Sequence, residues 1–350
     1  MHETIIIMKA LVLEEYNKLV YKEVEIPEIM PHEVLIKIKA CGICGSDVHG
    51  MDGSTGRRQP PIIMGHEASG VIVETGSEVT TWEKGDRVTF DSTVYKLNDW
   101  YTLKGRYNLS EGREVVGVSP VEYKRHGAFS EYLTVPQHIL YKIPENVSFE
   151  QAAMVEPAAV AAHAVRLSGI KAGDSALVLG SGMIGTFIVN ILKASGAIPV
   201  IAVDIDDEKL KMAADYGADV VINSCKQPVP ETVRAQTKGR GADLGFEAIG
   251  ISATVNTLIN SLRKGATAVL VGNITPTIEF PLQKVVTSEI NIQGSCAING
   301  EYEVVLDMIA DGSLKVDRMI SAVAPLSEGA EWIRKLYNKE GNLNKVILVP

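Results

Sequence analysis

The chain has 350 residues, of which 46% are hydrophobic and 22% are charged, and its formal net charge is −9 at pH 7. This length is enough for about two domains with a core each, and the composition is that of an ordinary globular protein. The acidic balance disfavours nucleic acid or an anionic membrane as a partner, and no apolar run approaches the roughly 20 residues of a membrane helix. Residues 1–8 lack the features of a signal peptide, and the four cysteines suit a reducing compartment, so we expect the cytoplasm.

The first part of the chain, up to about residue 150, is rich in short strand-like runs separated by turn residues. Residues 33–39 alternate at period two, and residues 70–74 form a second run of this kind. Glycine and proline interrupt the pattern often. We therefore predict a mainly antiparallel β domain.

Two clusters of metal-binding residue types lie in this domain, Cys41-Gly-Ile-Cys44 and Gly65-His66-Glu67. A lone Cys-x-x-Cys could be a redox pair or half of a zinc ribbon, but no second Cys-x-x-Cys is present to complete a ribbon. What remains is a mixed set of thiolate, imidazole and carboxylate ligands, as a catalytic zinc with an open position uses. Cys225 and Cys296 stand apart and are interpreted as inert thiols.

From about residue 157 onwards, apolar strand-like runs alternate with helical patterns, which predicts a parallel doubly wound sheet and an α/β fold. The expected strands are residues 175–179, 198–203, 219–222, 242–246, 267–271 and 290–292, and the expected helices are residues 183–193, 208–216, 232–237 and 252–263. Beyond Ser295, helices near 301–310 and 327–337 and a strand at 345–349 are predicted to return to the first domain. The nucleotide domain is thus expected at 156–295, and the β domain at 1–155, completed by 296–350.

A glycine-rich turn, Gly180-Ser-Gly182-Met183-Ile184-Gly185, follows the first of these strands with the spacing of the dinucleotide fingerprint. Gly180 permits the tight turn, Gly182 lets the backbone approach a pyrophosphate, and Gly185 lets the helix pack closely on the sheet. The N–H groups at the start of the helix then face the phosphates. A turn that only packs is the alternative.

The next apolar run ends on Asp204, about 20 residues past the last glycine, as the fingerprint requires. A carboxylate there can accept hydrogen bonds from the adenosine ribose and would repel a 2′-phosphate. The strand, the turn, the helix and the acid come in the required order. This combination favours a bound dinucleotide, and NAD over NADP.

Together the motifs resemble those of the zinc-dependent medium-chain alcohol and polyol dehydrogenases, in particular the sorbitol dehydrogenase branch, along nearly the full length. Besides the nucleotide turn, the resemblance rests on residues 41–49, 65–67, Gly85-Asp-Arg-Val88, Gly105-Arg-Tyr-Asn-Leu109, Gly127-Ala-Phe-Ser-Glu-Tyr132 and Val155-Glu-Pro157. It implies a Rossmann domain plus a GroES-like β domain that carries the zinc.

The resemblance also implies roles for the metal-binding residues. Cys44, rather than Cys41, is the zinc thiolate, with His66 and Glu67 beside it. Glu156 stands where the family places either a cysteine or an acid that binds the metal or its water, or it makes an outer hydrogen bond. Cys41 is interpreted as a small buried hydrophobic residue.

Ser46 and His49 match the proton relay of the family, in which the substrate hydroxyl passes its proton to a serine or threonine and, through the nicotinamide ribose, to a histidine. A helix cap at Ser46 and a surface position for His49 are the alternatives. The implied chemistry is hydride transfer from a zinc-bound alkoxide to nicotinamide in a cleft between two domains.

Further cofactor contacts follow from the resemblance. Lys209 is expected beside the adenosine ribose, and Gly272, Ser295 and Ala297 are expected near the nicotinamide. Lys345 is a weaker candidate for the pyrophosphate. Because the family is usually dimeric or tetrameric, residues 268–271 and 289–293 are candidate edge strands that pair the subunits of a homodimer or homotetramer.

The pattern breaks where many relatives hold a second, structural zinc with four cysteines. The corresponding positions are Lys96, Asp99, Thr102 and Ser110. None is a cysteine, so we predict one catalytic zinc per subunit and no structural zinc. The lobe at residues 91–110 would then be held by packing of Trp100, Tyr101 and Tyr107.

The pattern also breaks at positions that contact substrate. Sorbitol enzymes have an aromatic residue after the relay histidine and an Arg-Tyr pair after the last nucleotide strand, whereas this chain has Gly50 and Ala297-Ile298. The polyol-binding arginine is therefore absent. Nearby loops carry Arg57-Arg58 and Lys124-Arg125-His126, which either grip a sugar acid or sugar phosphate or are simply solvated.

The sequence thus predicts an NAD-dependent zinc oxidoreductase that interconverts a secondary alcohol, a polyol or sugar derivative, and its ketone. A vicinal-diol, sugar-acid or sugar-phosphate dehydrogenase with the same site is the nearest alternative. A catalytically silent NAD-binding regulator is the alternative from another class, and the intact set of metal and relay residues argues against it. The glycine turn with Asp204 disfavours a hydrolytic zinc enzyme.

Overall fold

The computed structural model describes residues 7–118, 125–341 and 343–350. The chain divides into two compact units, which we call the catalytic unit and the nucleotide unit. The catalytic unit comprises Met1–Glu156, Ile298–Asp311 and Val316–Pro350, and the nucleotide unit comprises Pro157–Ala297 and Gly312–Lys315.

The strands and helices follow one another as short elements in the first half and as longer alternating elements in the second. The strands are β1 (Ile7–Glu15), β2 (Lys18–Glu25), β3 (Glu33–Gly42), β4 (Ile62–Ile63), β5 (Glu67–Thr75), β6 (Arg87–Phe90), β7 (Thr93–Val94), β8 (Glu114–Val115), β9 (Tyr132–Pro136), β10 (Leu140–Lys142), β11 (Ala176–Leu179), β12 (Val200–Asp204), β13 (Val220–Asn223), β14 (Ala242–Glu247), β15 (Leu262–Leu270), β16 (Asn291–Gly294), β17 (Ile320–Pro325) and β18 (Lys345–Val349). The α-helices are α1 (Gly45–Gly50), α2 (Trp100–Leu103), α3 (Phe149–Ala153), α4 (Val155–Leu167), α5 (Met183–Ala194), α6 (Asp207–Asp215), α7 (Val229–Gln236), α8 (Ser252–Ser261), α9 (Leu282–Thr287), α10 (Tyr302–Ala310) and α11 (Gly329–Tyr337). Single 3₁₀ turns lie at Tyr107–Leu109, Gln137–Ile139, Asp317–Met319 and Leu326–Glu328.

The catalytic unit is built on sheets that are mainly antiparallel. One sheet has the order β2-β1-β4, and a larger one has the order β10-β6-β5-β3-β18-β17, with β9 also paired to β3. Only β17 and β18 run parallel to each other. Buried apolar side chains from the strands and helices of the catalytic unit form one core cluster. The last strand, β18, lies beside β3, so the C-terminal segment returns to the first part of the chain as predicted.

The nucleotide unit contains one fully parallel sheet with the order β13-β12-β11-β14-β15-β16. Numbered from the first strand of the unit, this order is 3-2-1-4-5-6, the arrangement of the Rossmann fold. All four residues of β11 are buried, which is expected of a central parallel strand covered on both faces. The predicted α/β class with a Rossmann sheet and an antiparallel β domain is confirmed.

One expectation about this sheet differs from the structure. Residues 268–271 were a candidate edge strand, but β15 is an inner strand paired to β14 and β16, so this expectation is wrong. The true edge is β16, where Ile292 is exposed. An apolar run of this kind marks a strand of a parallel sheet but does not show whether the strand lies at the edge or inside, because inner strands are also apolar.

The lobe at residues 91–110, which has no cysteine, is held by hydrogen bonds together with aromatic contacts. Asp99 caps α2 by accepting bonds from the backbone N–H groups of Tyr101 and Thr102, and its other oxygen accepts the N–H of Glu111. Tyr107 stacks on Tyr95 with ring centroids 4.3 Å apart and donates its hydroxyl to Asp91 at 2.7 Å. Trp100 is 64% exposed, but its ring meets that of Tyr101 edge to face, with ring centroids 5.0 Å apart. Among the described residues, no helix is long and apolar enough to cross a membrane.

Candidate active site

Three side chains of the catalytic unit converge on one point. The ligand atoms that Cys44, His66 and Glu67 offer to a metal all lie within 4.8 Å of one another. No other set of three such residues is found in the described ranges of the chain. The structure therefore brings together the thiolate, the imidazole and the carboxylate that the sequence predicted as zinc ligands.

The backbone places these three residues at the meeting point of two strands. Strand β3 ends at Gly42, Cys44 then caps α1, and Glu67 begins β5 directly opposite Gly42 in the antiparallel pair. A Cβ at Gly42 would collide with the Glu67 carboxylate, so glycine is needed there. His66 follows Gly65, whose φ of +92° turns the chain into β5.

The sulfur of Cys44 receives two hydrogen bonds from one residue. The backbone N–H of Ser46 donates to Cys44 Sγ at 3.4 Å, and the Ser46 hydroxyl donates at 3.3 Å. In return, the Asp47 carboxylate accepts the Cys44 N–H at 3.1 Å, which completes a capping box at the start of α1. Both donors therefore point at the atom that would bind a metal.

His66 is buried beside a carboxylate. Its Nδ1 lies 3.5 Å from Asp47 Oδ1, which leaves Nε2 as the ring nitrogen that can bind a metal. Burial opposes the charged imidazolium and lowers the His66 pKa, but Asp47 and Cys44 outweigh it, so the pKa is well above its usual value. Burial also opposes the charged form of Asp47 and so raises its pKa. The positive charges of His66 and Arg58 outweigh this effect and hold the Asp47 pKa well below its usual range. The site thus favours positive charge at His66, whether from a proton or from a metal ion.

Glu67 is paired with Lys345, and both side chains are 1% exposed. The Lys345 ammonium donates to Glu67 Oε2 and, at 3.0 Å, to the backbone carbonyl of Ile43. Burial lowers the Lys345 pKa, but the carboxylate of Glu67 and the thiol of Cys44 raise it further, so the lysine is charged. Lys345, considered above for the pyrophosphate, is therefore buried in an ion pair.

Glu156 lies close to this set but outside it. Its Oε1 accepts a hydrogen bond from the Ser92 hydroxyl at 3.2 Å. Burial raises the pKa of Glu156 to about 7, and the positive charge of His66 only partly offsets that effect, while Glu67 adds to it. A buried acid of this kind can gain a proton when the site is empty and lose it beside a metal ion.

These donors fit a zinc ion. A thiolate, an imidazole and a carboxylate are ligands that zinc uses in catalytic sites, with a further position left for water or substrate. Each of the three also has its own oriented partner, namely Ser46 for Cys44, Asp47 for His66 and Lys345 for Glu67. Partners of this kind fix the orientation of ligands and are typical of metal sites. Cys41, in contrast, is buried with a pKa raised by desolvation and lies outside the set, in keeping with a packing role.

The two candidate relay residues lie on α1, next to Cys44. Ser46 is half-buried, whereas His49 is exposed. The backbone carbonyl of His49 accepts a hydrogen bond from the Ser54 hydroxyl at 2.9 Å. The centroid of the His49 ring is 6.4 Å from that of the Tyr337 ring.

The basic residues considered for an acidic substrate have other partners. Arg58 is 1% exposed and donates to Ser46 Oγ at 3.1 Å and to Asp47 Oδ1 at 2.8 Å. Arg125 is held by Glu114 at 2.5 Å and by Glu33 at 3.4 Å. His126 Nδ1 accepts the N–H of Ile63 at 3.2 Å. Arg57 is exposed, and Lys124 lies outside the described residues. The expectation that Arg58 is a solvated or substrate-gripping loop residue is therefore wrong.

In the nucleotide unit, the glycine turn has the geometry that its spacing predicted. Gly180 has a φ of +91°, which only glycine adopts readily. Gly182 precedes α5, and a Cβ there would meet nothing within 4 Å, so the face of the turn is open. A Cβ at Gly185 would collide with the carbonyl of Gly180, because the helix packs closely on the strand. The backbone of Met183 and Ile184 forms the first turn of α5.

Asp204 ends β12 and is tied to the glycine turn. Its Oδ2 accepts the N–H of Ser181 at 2.8 Å, while Oδ1 accepts the N–H groups of Ile205 at 2.8 Å and Asp206 at 3.1 Å. These bonds hold the side chain of Asp204 beside the turn. Asp204 is thus placed where it can bind the ribose of a dinucleotide, and the glycine turn is placed where it can bind the pyrophosphate.

The remaining candidate cofactor residues belong to the same unit. Lys209 is exposed on the first turns of α6. A Cβ at Gly272 would collide with the backbone of Ile249, so two chain segments pass closely there. Ser295 follows β16 with a buried hydroxyl that has no partner among the described residues, and Ala297 has a φ of +53°.

Comparison with protein-family models gives two matches. Residues 30–145 match the alcohol dehydrogenase GroES-like domain, and residues 184–311 match the model named zinc-binding dehydrogenase. D-xylulose reductase A of Aspergillus oryzae is 33% identical over 339 residues, which is 94% of each chain. This chain belongs to the zinc-binding dehydrogenase family.

Solved structures of other family members have the same fold. The 2R,3R-butanediol dehydrogenase of Bacillus subtilis is 32% identical, with a TM-score of 0.88 over 98% of this dehydrogenase and 99% of that chain. A protein of Sinorhizobium meliloti 1021 bound to NADP is 31% identical, with a TM-score of 0.90 over 99% of this dehydrogenase and 100% of that chain. Family membership alone therefore does not select between NAD and NADP.

Sequence reasoning did not place three residues beside the candidate metal ligands of this dehydrogenase: Asp47, to which it gave no role, and Arg58 and Lys345, for which it considered other roles. Asp47 stands inside a recognised motif, and its position three residues after Cys44 is a capping-box signal that could have indicated its bond to the Cys44 backbone. Arg58 follows another arginine in a glycine-rich loop, and Lys345 is 278 residues from Glu67. Neither carries a local signal of burial.

Proposed function

We propose that this dehydrogenase interconverts a polyol or another secondary alcohol and its ketone, using NAD and one catalytic zinc ion per subunit. The observation that carries the proposal is the convergence of Cys44, His66 and Glu67. Each has an oriented partner, and the relay candidate Ser46 is bonded to the Cys44 sulfur. Two relatives are named D-xylulose reductase A and 2R,3R-butanediol dehydrogenase, and these names support an alcohol or polyol substrate.

The residues of this chain would divide the work as follows. Zinc held by Cys44, His66 and Glu67 would supply a Lewis acid for the substrate hydroxyl oxygen, and NAD would supply the hydride acceptor. Ser46 would accept the proton of the substrate hydroxyl and pass its own proton onwards. His49 is exposed, so a proton that reaches it can leave to water. Glu156 would bind the metal or its water.

The proposal of NAD rather than NADP rests on Asp204, which presents a negative charge where a 2′-phosphate would lie. A neutral polyol is favoured over a sugar acid or sugar phosphate because Arg58 and Arg125 are already held in ion pairs. We also propose a homodimer or homotetramer in which subunits pair along the edge strand β16, where Ile292 is exposed. We also propose the cytoplasm, since none of the four cysteines, which all lie in the described ranges, forms a disulfide.

The test is a substrate panel with zinc-loaded protein. It includes the pentitols that correspond to D-xylulose, hexitols, 2,3-butanediol, simple secondary alcohols, sugar acids and sugar phosphates, each with NAD and with NADP. We expect NADH formation with polyols or secondary alcohols, loss of activity on chelation and one zinc per chain. Absence of activity with the whole panel, despite bound zinc and NAD, would favour a silent NAD-binding protein. Two zincs per chain would contradict the absence of a structural site.

A further inference from the structure

A buried arginine lies directly behind the relay serine. Arg58 is 1% exposed, and its Nη2 donates both to Ser46 Oγ at 3.1 Å and to Asp47 Oδ1 at 2.8 Å. The segment that carries it is anchored by Tyr16, whose hydroxyl donates to the Arg58 carbonyl at 2.9 Å. One guanidinium nitrogen thus joins the relay serine to the carboxylate that faces His66.

The numbers of donors and acceptors on the two side chains decide which of them donates in this contact. A serine hydroxyl has one hydrogen and two lone pairs, whereas an arginine can only donate. Arg58 therefore occupies one lone pair of Ser46 Oγ and can never take its proton. One lone pair remains to accept the substrate proton, and the hydrogen of Ser46, which is donated to Cys44 Sγ at 3.3 Å, would turn away from the sulfur to be passed on. As the substrate O–H bond breaks, the Ser46 O–H bond breaks as well, so the serine ends the step neutral.

The charge of Arg58 acts on the same atoms. A guanidinium 3.1 Å from Ser46 Oγ favours electron density on that oxygen while its proton is in transit. The second bond holds Asp47, which is fully buried, as a carboxylate against His66 Nδ1. A buried carboxylate of this kind requires a positive partner.

Gly50 is the residue that makes room for this arrangement. A Cβ at Gly50 would collide with Arg58 Cδ and would lie 2.9 Å from Arg58 Nε. The glycine that stands where sorbitol enzymes have an aromatic residue is thus explained by the arginine, which fills the space beside it.

We propose that Arg58 is a positioning residue that orients the Ser46 hydroxyl for proton transfer and holds Asp47 against His66, and that Gly50 is retained because Arg58 packs across it. This inference rests on the proposed function for its kinetic part. Its structural part, the coupling of Gly50 to Arg58 and the environment of the Cys44 sulfur, holds for the protein independently of its substrate.

The kinetic test compares Arg58→Met and Arg58→Lys with Arg106→Met, a control at an exposed arginine of the same unit. We expect Arg58→Met to lower kcat on the order of ten- to a hundredfold, the size typical of lost partners of metal ligands. KM should change little, the solvent deuterium isotope effect on kcat should rise, and Arg58→Lys should be intermediate. A kcat like that of Arg106→Met, a loss confined to KM, or an unchanged isotope effect would each overturn the role in proton transfer.

Two further measurements do not depend on turnover. In cobalt-substituted protein, Arg58→Met should shift the thiolate-to-metal absorption, since Ser46 also donates to Cys44 Sγ, whereas Arg106→Met should leave it unchanged. Gly50→Ala should lower the unfolding temperature of the wild type but not that of an Arg58→Ala variant, because the collision is then removed. An unshifted band, or an equal effect of Gly50→Ala in both backgrounds, would overturn the inference. If none of the alcohols tested supports NAD reduction by the wild type, the proposed function fails. These two measurements still decide the placement of Arg58.

Discussion

Replacement of Lys345 by methionine tests the electrostatics of the candidate metal site. Lys345 and Glu67 are each 1% exposed, so the mutation leaves a buried carboxylate without its cation and removes a donor from the carbonyl of Ile43. Breaking a buried ion pair by removing one partner typically costs about 3–5 kcal/mol. We expect a loss of this size in the free energy of unfolding of the metal-free protein. The zinc-loaded protein should lose less, because the cation compensates the charge of Glu67.

The assay is urea unfolding of metal-free and zinc-loaded protein, followed by fluorescence and circular dichroism. In the metal-free state, Glu67→Gln in the Lys345→Met background should recover most of the loss, since the second change removes the unpaired charge. Lys9→Met is the matched control. Lys9 pairs with Glu23 on the surface, where side-chain exposures are 43% and 55%, so no measurable change is expected. An unchanged midpoint for metal-free Lys345→Met, or no recovery with Glu67→Gln, would refute the reasoning.

Three further predictions concern other parts of the chain. Asp204→Ala should lower the preference for NAD over NADP, measured as the ratio of kcat/KM, by about tenfold or more, which corresponds to about 1.4 kcal/mol; an unchanged ratio would contradict the assigned role. Asp99→Ala should cost about 1–2 kcal/mol in urea unfolding because the cap of α2 is lost, and equal stability would show that the lobe does not depend on this side chain. Burial raises the pKa of Asp91 to about 6, so the folded state holds this proton more tightly than the unfolded chain, and stability should fall as pH rises from about 4 to about 6. Asp91→Asn should reduce that slope, and the same slope in both proteins would argue against the raised pKa.

Much of the nucleotide unit could be predicted from local pattern. The expected strand at residues 242–246 is Ala242–Glu247, and the expected helix at residues 183–193 is Met183–Ala194. Helix α5 is marked at its start by the glycine turn and by a buried strand before it, although its residues from Gly185 to Leu192 are all buried. Helix α4 was not predicted, because most of its residues are buried and no polar face marks the helical period.

The catalytic unit was predicted less completely. The strands around residues 33–39 and 70–74 were expected, but their pairing and their full lengths, Glu33–Gly42 and Glu67–Thr75, were not. Pairing in an antiparallel sheet depends on contacts between distant residues. The convergence of Cys44 with His66 and Glu67 follows from the pairing of Gly42 with Glu67, whereas the sequence indicated it only through the motifs.

The two basic loop residues illustrate the limit most clearly. Arg57 and Arg58 are adjacent and chemically identical, yet one is exposed and the other is buried. What separates them is the presence of Ser46 and Asp47 on α1 and the space left by Gly50, none of which is visible in the loop itself.

Sequence alone determined the chemical groups and their local geometry: the spacing of the three glycines, the acid after the second strand of the nucleotide unit, and the cysteine and histidine motifs. These features depend on a few neighbouring residues, whose turns and caps have fixed requirements. Tertiary structure decided which charged groups are buried together, namely Lys345 with Glu67 and Arg58 with Asp47. Burial is a property of the packed chain, and the strength of a charge interaction depends on the water that packing removes.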